Sequence, residues 1–308
     1  MSTRPLLLAA ALVAVAALPA APRAGAADLP TVRVRLAAGE LQAGVRASDQ
    51  GARLALRIVR TDGSSVELPE PGPRLAARLD EPTPVVAGGE LAGLVWLEGA
   101  TRESYAVRYA PWVGAGWGPV EEVAAPGAGS QLALAALPLA DGRLLAVWAG
   151  YDGQDDEILF ALRAAAGPWS APARVARDND VPDITPALAA TPGPDAGALV
   201  AWSRFDGGQY RVTVARFDGE RFRGARVIGE PGTLEPGFLP PGPNGAPRLL
   251  YRHARPPGWT VADLDRSGAP GQAWYAVTSD PARPTAAQIR DGRLQLGYGD
   301  PFDPAARR

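Results

Sequence analysis

Apolar and polar positions along this chain fall into short runs of five to eight residues. The stretch Leu144 to Val175 shows the pattern best: LLAVWAGYDGQDDEILFALRAAAGPWSAPARV, three apolar runs separated by turns that carry Gly and Asp. A second copy runs from Ala198 to Ile228, where Ala201-Trp202 answers Val147-Trp148 and Phe205-Asp206-Gly207 answers Tyr151-Asp152-Gly153. Leu94-Val95-Trp96 opens an earlier copy, and Leu249-Leu250-Tyr251 and Leu296-Gly297-Tyr298 open weaker later ones. The period is therefore about 50 residues, which suits a four-stranded propeller blade. Runs this short, rich in Val, Leu, Tyr and Trp and bounded by Gly, Pro and Asp, are strands and not helical repeats. One blade cannot bury both of its faces, so blades stack radially.

The expected fold is all-β: a β-propeller of four-stranded antiparallel blades. Blades begin near Pro84, Leu132, Pro186, Gly237 and Thr285. The last has room for two strands only. Val32 to Leu36, a strictly alternating VRVRL that reads as half-exposed, is the natural strand to close it, which makes six blades. The alternative is five, with Leu54 to Leu68 completing the last. Leu41 to Arg46, Leu54 to Arg60 and Arg74 to Arg78 are further strand candidates. Residues 27–308 form one domain in this reading. Trp96, Trp148 and Trp202 recur at one strand position, so they are expected in the packing between blades.

Residues 1–26 lie outside the fold. Arg4, the apolar run Leu6 to Leu18 and the small residues Ala24-Gly25-Ala26 make a secretory signal peptide, too short to span a membrane. The mature chain is expected to be soluble and exported, to the periplasm or the extracellular space, with no membrane span. It has no cysteine, hence no disulfide and no lipid-bearing N-terminal Cys. Gly 36 and Pro 32 agree with a turn-rich fold. The net charge of −2 gives no electrostatic reason to bind nucleic acid. A monomer is expected.

Ile158 to Val175, ILFALRAAAGPWSAPARV, resembles the repeat of bacterial sialidases and their relatives, in which a strand ending in Ala-Arg precedes a turn and a Trp-Ser-x-Pro-x-Arg-Val strand. The family's Asp box, Ser-x-Asp-x-Gly-x-x-Trp, is eroded: Arg163 to Trp169 keeps Gly167 and Trp169 without Ser or Asp. The resemblance implies a propeller. A sialidase also needs three arginines for the substrate carboxylate, a tyrosine nucleophile with a glutamate partner and an aspartate acid–base. Arg102, Arg204, Arg252, Arg255 and Arg283 are available, but the N-terminal Phe/Tyr-Arg-Ile-Pro element is missing, with Arg57-Ile58-Val59 keeping only its middle pair. No catalytic residue is carried over.

Antiparallel parity sorts the loops. Turns between strands 1–2 and 3–4 of a blade share one end; 2–3 turns and inter-blade links share the other. Ala140-Asp141-Gly142, Phe217-Asp218-Gly219 and Arg290-Asp291-Gly292 are tight turns of the first end. Charged and aromatic residues gather at the second, and loops on a rigid scaffold commonly carry binding groups. The candidate ligand-binding face is Asp152, Asp155, Asp178, Asp180, Arg204, Asp206, Arg252, His253 and Trp259, with Trp259 a candidate for stacking on a sugar. Each residue also has a bland role. Asp152 and Asp206 precede glycines and suit turns that cap backbone N–H groups. Asp155-Asp156-Glu157 reads as a solvated loop tip. The acids from Asp178 to Asp183 lack a full calcium-loop pattern, so no metal is assigned, and no cofactor. A lone histidine builds no zinc site. Three functions follow: a propeller that binds a protein or glycan partner without catalysis, a glycoside hydrolase of sialidase-like fold, or a structural scaffold.

Cleavage is expected near Ala26, so N-terminal sequencing of exported protein should find Ala27 or Asp28 first; Met1 retained would contradict the leader assignment.

Overall fold

The structure is a computed structural model. It describes residues 32–298, apart from 49–50, 73–77, 128, 130, 178–179, 194–196, 243–244 and 281. The leader assigned to residues 1–26 and most of the Arg74 to Arg78 strand candidate lie outside the described residues.

Among the described residues, six antiparallel sheets follow one another along the chain. The first holds β1 (Val32–Leu36), β2 (Gly39–Ser48), β3 (Gly51–Arg60) and β4 (Ser65–Glu67). The second holds β5 (Arg78–Ala87), β6 (Glu90–Gly99), β7 (Ala106–Val113) and β8 (Gly116–Trp117), with β9 (Glu121–Ala124) also paired to β7. The third is β10 (Gln131–Pro138), β11 (Leu144–Tyr151), β12 (Asp156–Arg163) and β13 (Ala173–Arg174). The fourth is β14 (Asp183–Ala190), β15 (Ala198–Asp206), β16 (Gln209–Phe217) and β17 (Phe222–Val227). The fifth is β18 (Thr233–Leu239), β19 (Arg248–His253), β20 (Gly258–Leu264) and β21 (Pro270–Val277). A hairpin, β22 (Ala286–Arg290) and β23 (Arg293–Gly297), forms the sixth. This is the β-propeller expected from the repeat, and the expected blade starts fall on β5, β10, β14 and β18 and just before β22.

The closing strand is not where the sequence put it. β1 pairs with β2, Val34 opposite Leu41, and belongs to the first sheet. The five-blade alternative fails for the same reason: Leu54 lies on β3, the third strand of that sheet. A two-residue turn to β2 costs far less chain entropy than a return across the whole domain.

Apolar side chains fill the gap between each successive pair of sheets. Trp96 packs between the first and second sheets with Leu41, Leu54 and Leu94. Trp148 lies between the second and third with Val95 and Val107. Trp202 lies between the third and fourth with Val147 and Phe160, and Tyr251 takes the same place between the fourth and fifth. The recurring position thus always points back at the preceding sheet. The middle strands β11 and β15 are buried on both faces over Leu144–Gly150 and Ala198–Ser203, as strands sandwiched between sheets must be.

The two terminal sheets differ. In the first, Val34, Leu36, Leu41 and Leu56 face the second sheet, while Arg33, Arg35, Glu40, Gln42 and Arg57 face away. That outer face is a polar ladder: Arg33 donates to both Glu40 oxygens, at 2.5 and 2.6 Å, Gln42 Nε2 to Glu40 at 2.6 Å, and Arg57 Nε to Gln42 at 2.6 Å. In the sixth, Ala287, Leu294 and Leu296 face the fifth sheet, and Gln288, Gln295, Arg290 and Arg293 share the opposite face. Among the described residues no apolar core joins the sixth sheet to the first.

The innermost strands share one irregularity. β5, β10, β14 and β18 each carry a bulge, and at each bulge a residue other than glycine has a left-handed backbone: Glu81 (φ 46°), Ala133 (φ 52°), Thr185 (φ 54°) and Glu235 (φ 55°). Such a backbone costs about 1–2 kcal/mol per residue for anything but glycine. Neighbouring sheets hold it in place. The Glu81 carboxylate accepts N–H groups of Ala133 (3.0 Å) and Leu134 (2.5 Å) from the next bulge, and Ser203 Oγ accepts the N–H of Glu235 (3.0 Å) while bonded to Thr185 Oγ1 (2.7 Å).

Trp148 and Trp202 are wholly buried. Trp148→Ala and Trp202→Ala should each cost about 3–5 kcal/mol in denaturant melts by opening a large cavity; two neutral results would rule out the inter-sheet packing.

Candidate functional site

Strand pairing fixes which residues share an end. Gln131, first in β10, lies opposite Gly150, just before the Asp152 turn. Asp183, first in β14, lies opposite Arg204, just before Asp206. Thr233, first in β18, lies opposite His253, next to Arg252. The inter-sheet links and the 2–3 turns therefore emerge together, and Asp152, Asp155, Asp180, Arg204, Asp206, Arg252 and His253 stand at one end of the sheets. Asp178 lies outside the described residues.

One cluster forms around the third-sheet turn. Asp152 Oδ1 accepts the backbone N–H of Gln154 (2.8 Å) and Asp155 (3.2 Å), and its other oxygen binds Arg174. Those N–H groups, aided by Arg174, hold the Asp152 carboxyl below its usual range. Arg174 also reaches Glu157, Nη1 to Oε1 at 3.6 Å. Oxygens of Asp152, Asp155 and Glu157 lie within 4.8 Å of one another. Such a carboxylate set has the donor chemistry for a hard cation, and Arg174 already places a positive charge against it. Burial pushes the Asp155 carboxyl up, with Asp152 and Asp180 adding to the effect. Asp155-Asp156-Glu157 is not the solvated tip its composition suggests, because Glu157 is fully buried at the start of β12.

Asp183 completes this group from beneath. It is 1% exposed, and burial raises its pKa to about 7; Arg204 and the Trp202 indole oppose the shift, and Glu157 and Asp155 reinforce it. Gln131 plays the corresponding part in the third sheet, where its Oε1 accepts the Trp148 indole N–H at 2.5 Å. Gln131, Asp183 and Thr233 are each two residues before a left-handed bulge. That register exposes Asp183 as a repeat position, but only once the bulges are known.

A second group lies at the fifth and sixth sheets. Glu235, at its bulge, pairs with Arg252 at 3.0 Å. The Arg283 guanidinium lies over Gly237, where an added Cβ would come within 1.3 Å of Nη2. Arg283 is open to solvent yet ringed by protein; burial lowers its pKa and Glu235 opposes the shift. Asp206 is exposed at a turn whose Gly207 and Gly208 both have positive φ (62° and 92°). Beside it Phe205 and Tyr210 meet edge-on at 5.2 Å. Asp156 raises the Tyr210 pKa after burial, which sets the third- and fourth-sheet turns side by side.

Two assignments change. Trp259 is 1% exposed and packs with Leu250 and Val261 against the sixth sheet, so it offers no ring to a ligand. β20 is buried on both faces from Gly258 to Ala262, so Trp259 enters the core between the fifth and sixth sheets. His253 is half-buried, with Nε2 2.7 Å from Thr260 Oγ1 and its ring between Tyr251 and Tyr275. Burial lowers its pKa, opposed by Glu230, so it stays neutral near pH 7.

No family model matches the chain, and no curated protein matches it. Solved structures do. A protein of unknown function from Dyadobacter fermentans superposes with TM-score 0.58 at 15% identity, covering 84% of this chain and 85% of its own. The α-L-arabinanase of Penicillium chrysogenum, complexed with arabinobiose, gives TM-score 0.54 at 12% identity over 76% and 77%. The GH93 α-L-arabinofuranosidase of Fusarium graminearum, also with arabinobiose, gives 0.53 at 11% over 87% of each chain. These likenesses establish the fold: this chain shares its architecture with propeller glycoside hydrolases.

The raised Asp183 pKa fixes the sign of a pH effect. A carboxyl that is harder to ionise when folded contributes full stability below its unfolded value, 3.8, and loses it as pH rises through about 7. Asp183→Asn should therefore be more stable than the parent at pH 8, with the advantage vanishing toward pH 4. Parallel melts across that range check it; a constant difference would contradict the shift.

Proposed function

We propose that this protein is an exported propeller that binds a glycan through the end bearing its 2–3 turns and inter-sheet links, without cleaving it. One observation carries the non-catalytic part. Glycosidases place two carboxyl groups on the scissile bond, about 5–5.5 or 6.5–9.5 Å apart, one of them protonated. Here the carboxyl that holds a proton near neutral pH, Asp183, is buried, as is its neighbour Glu157. Two accessible carboxylates of this face are tied to arginines instead, Asp152 to Arg174 and Glu235 to Arg252. Paired carboxylates and guanidiniums suit a hydroxyl-rich ligand, because each hydroxyl both donates and accepts. The arabinan-acting neighbours lend the glycan reading support, as they hold sugar on the same scaffold.

The test is a glycan array on the mature chain, followed by calorimetry and a hydrolysis assay with arabino-oligosaccharides. Saturable binding without products is expected, and Arg204→Ala should weaken it roughly tenfold. Turnover that disappears in Asp183→Asn would establish a hydrolase instead. Capture of proteins with no glycan bound would move the partner to the protein class.

A further inference from the structure

We infer a second, separate carbohydrate site on the outer edge of the first two sheets, built on Trp117 and suited to a neutral sugar. β8 and the link that follows β4 enclose a recess of about 660 Å³, lined by Pro69, Glu70, Gly72, Trp117, Pro119 and Val120 among others. That volume lies within the range of small-molecule sites.

Trp117 is half-exposed and fixed twice. Its indole N–H donates to Pro69 O at 2.6 Å, and its ring meets Trp112 edge-on, centroids 4.8 Å apart and planes at 76°. A flat aromatic surface with no rotamer to lose is preorganised for the C–H face of a sugar. Gly116 beside it borders open space, where an added Cβ would meet no non-adjacent residue within 4 Å.

Glu70 is the charged residue of the lining. Its partner Arg53 is 3.8 Å away and both are solvent-accessible, so the carboxylate can accept sugar hydroxyls. A carboxylate at the rim repels an anionic sugar, which selects a neutral ring. Glu70, Gly72 and Val120 also line a narrower continuation toward Trp96 and Glu98, about 10 Å³ in volume and too small for a second ring. The continuation adds no room for a ring, so the sugar lies in the main recess against Trp117.

Titration of the mature chain with cellohexaose and arabinohexaose, followed by the indole N–H signals in an ¹H–¹⁵N spectrum, tests this. The Trp117 signal, assigned with Trp117→Phe, should shift saturably with at least one of them. Trigalacturonate should bind roughly tenfold more weakly, and Glu70→Gln should narrow that gap. Trp117→Ala should abolish the binding; if it does not fold, the Glu70→Gln and Trp117→Phe arms decide. A Trp117 signal unmoved by both neutral oligosaccharides would overturn the inference and leave Trp117 as a cover for the core. Arg204→Ala should leave the shift intact, so loss of the 2–3 loop site and loss of this one are separable.

Discussion

Everything in this molecule depends on apolar contact between successive sheets. Trp96, Trp148 and Trp202 are buried in three consecutive gaps, and Tyr251 fills the fourth. An aromatic of this kind removes about 150–250 Å² from water, roughly 4–6 kcal/mol at 25 cal/mol per Å² before entropy is charged. A surface ion pair such as Arg108–Glu122 contributes about 0–1 kcal/mol. Packing therefore sets the geometry, and the charged turns ride on it. Their positions at one end follow from antiparallel pairing alone.

The inner sheets are apolar on both faces, and among the described residues the two terminal sheets are not. The first and sixth sheets alternate, one face apolar and one carrying Arg, Glu and Gln. The ladder from Arg33 through Glu40 and Gln42 to Arg57 links its polar groups to one another across β1, β2 and β3. Inside the stack, the left-handed bulges bring backbone N–H groups of one sheet within reach of a side chain from the sheet before it. Glu81 and Ser203 use that reach, and the strain of the bulge is offset where sheets join.

Much of this was legible in the sequence. The 50-residue period, the starts of four inner strands and the inward Trp positions follow from apolar runs cut by Pro and Gly. The parity of the loops needed only strand order. What failed were questions of partner and face. VRVRL could be read as half-exposed, but nothing in five residues says which strand it pairs with; the local hairpin to Gly39–Ser48 wins over a distant edge. Trp259 sits near the loop end of a seven-residue strand that is buried on both faces, which the flanking polar and small residues do not reveal. The buried Asp183 looks like any loop acid until its pairing with Arg204 is known. The bulges were hidden because Glu81, Thr185 and Glu235 each precede proline, a context that favours extended backbone.

The left-handed bulge is the claim most open to direct measurement, and Ala133 is the place for it, with φ 52° and a side chain of one methyl. Ala to Gly in a strand normally lowers stability by about 0.5–1 kcal/mol. At a left-handed position the relief of backbone strain outweighs that loss. Denaturant melts of Ala133→Gly should show stability unchanged or raised by up to about 1 kcal/mol, while Ala146→Gly, at an ordinary buried strand position, lowers it. Equal losses in both variants would mean that the inner strands run straight, and that the joints between sheets are not built as described.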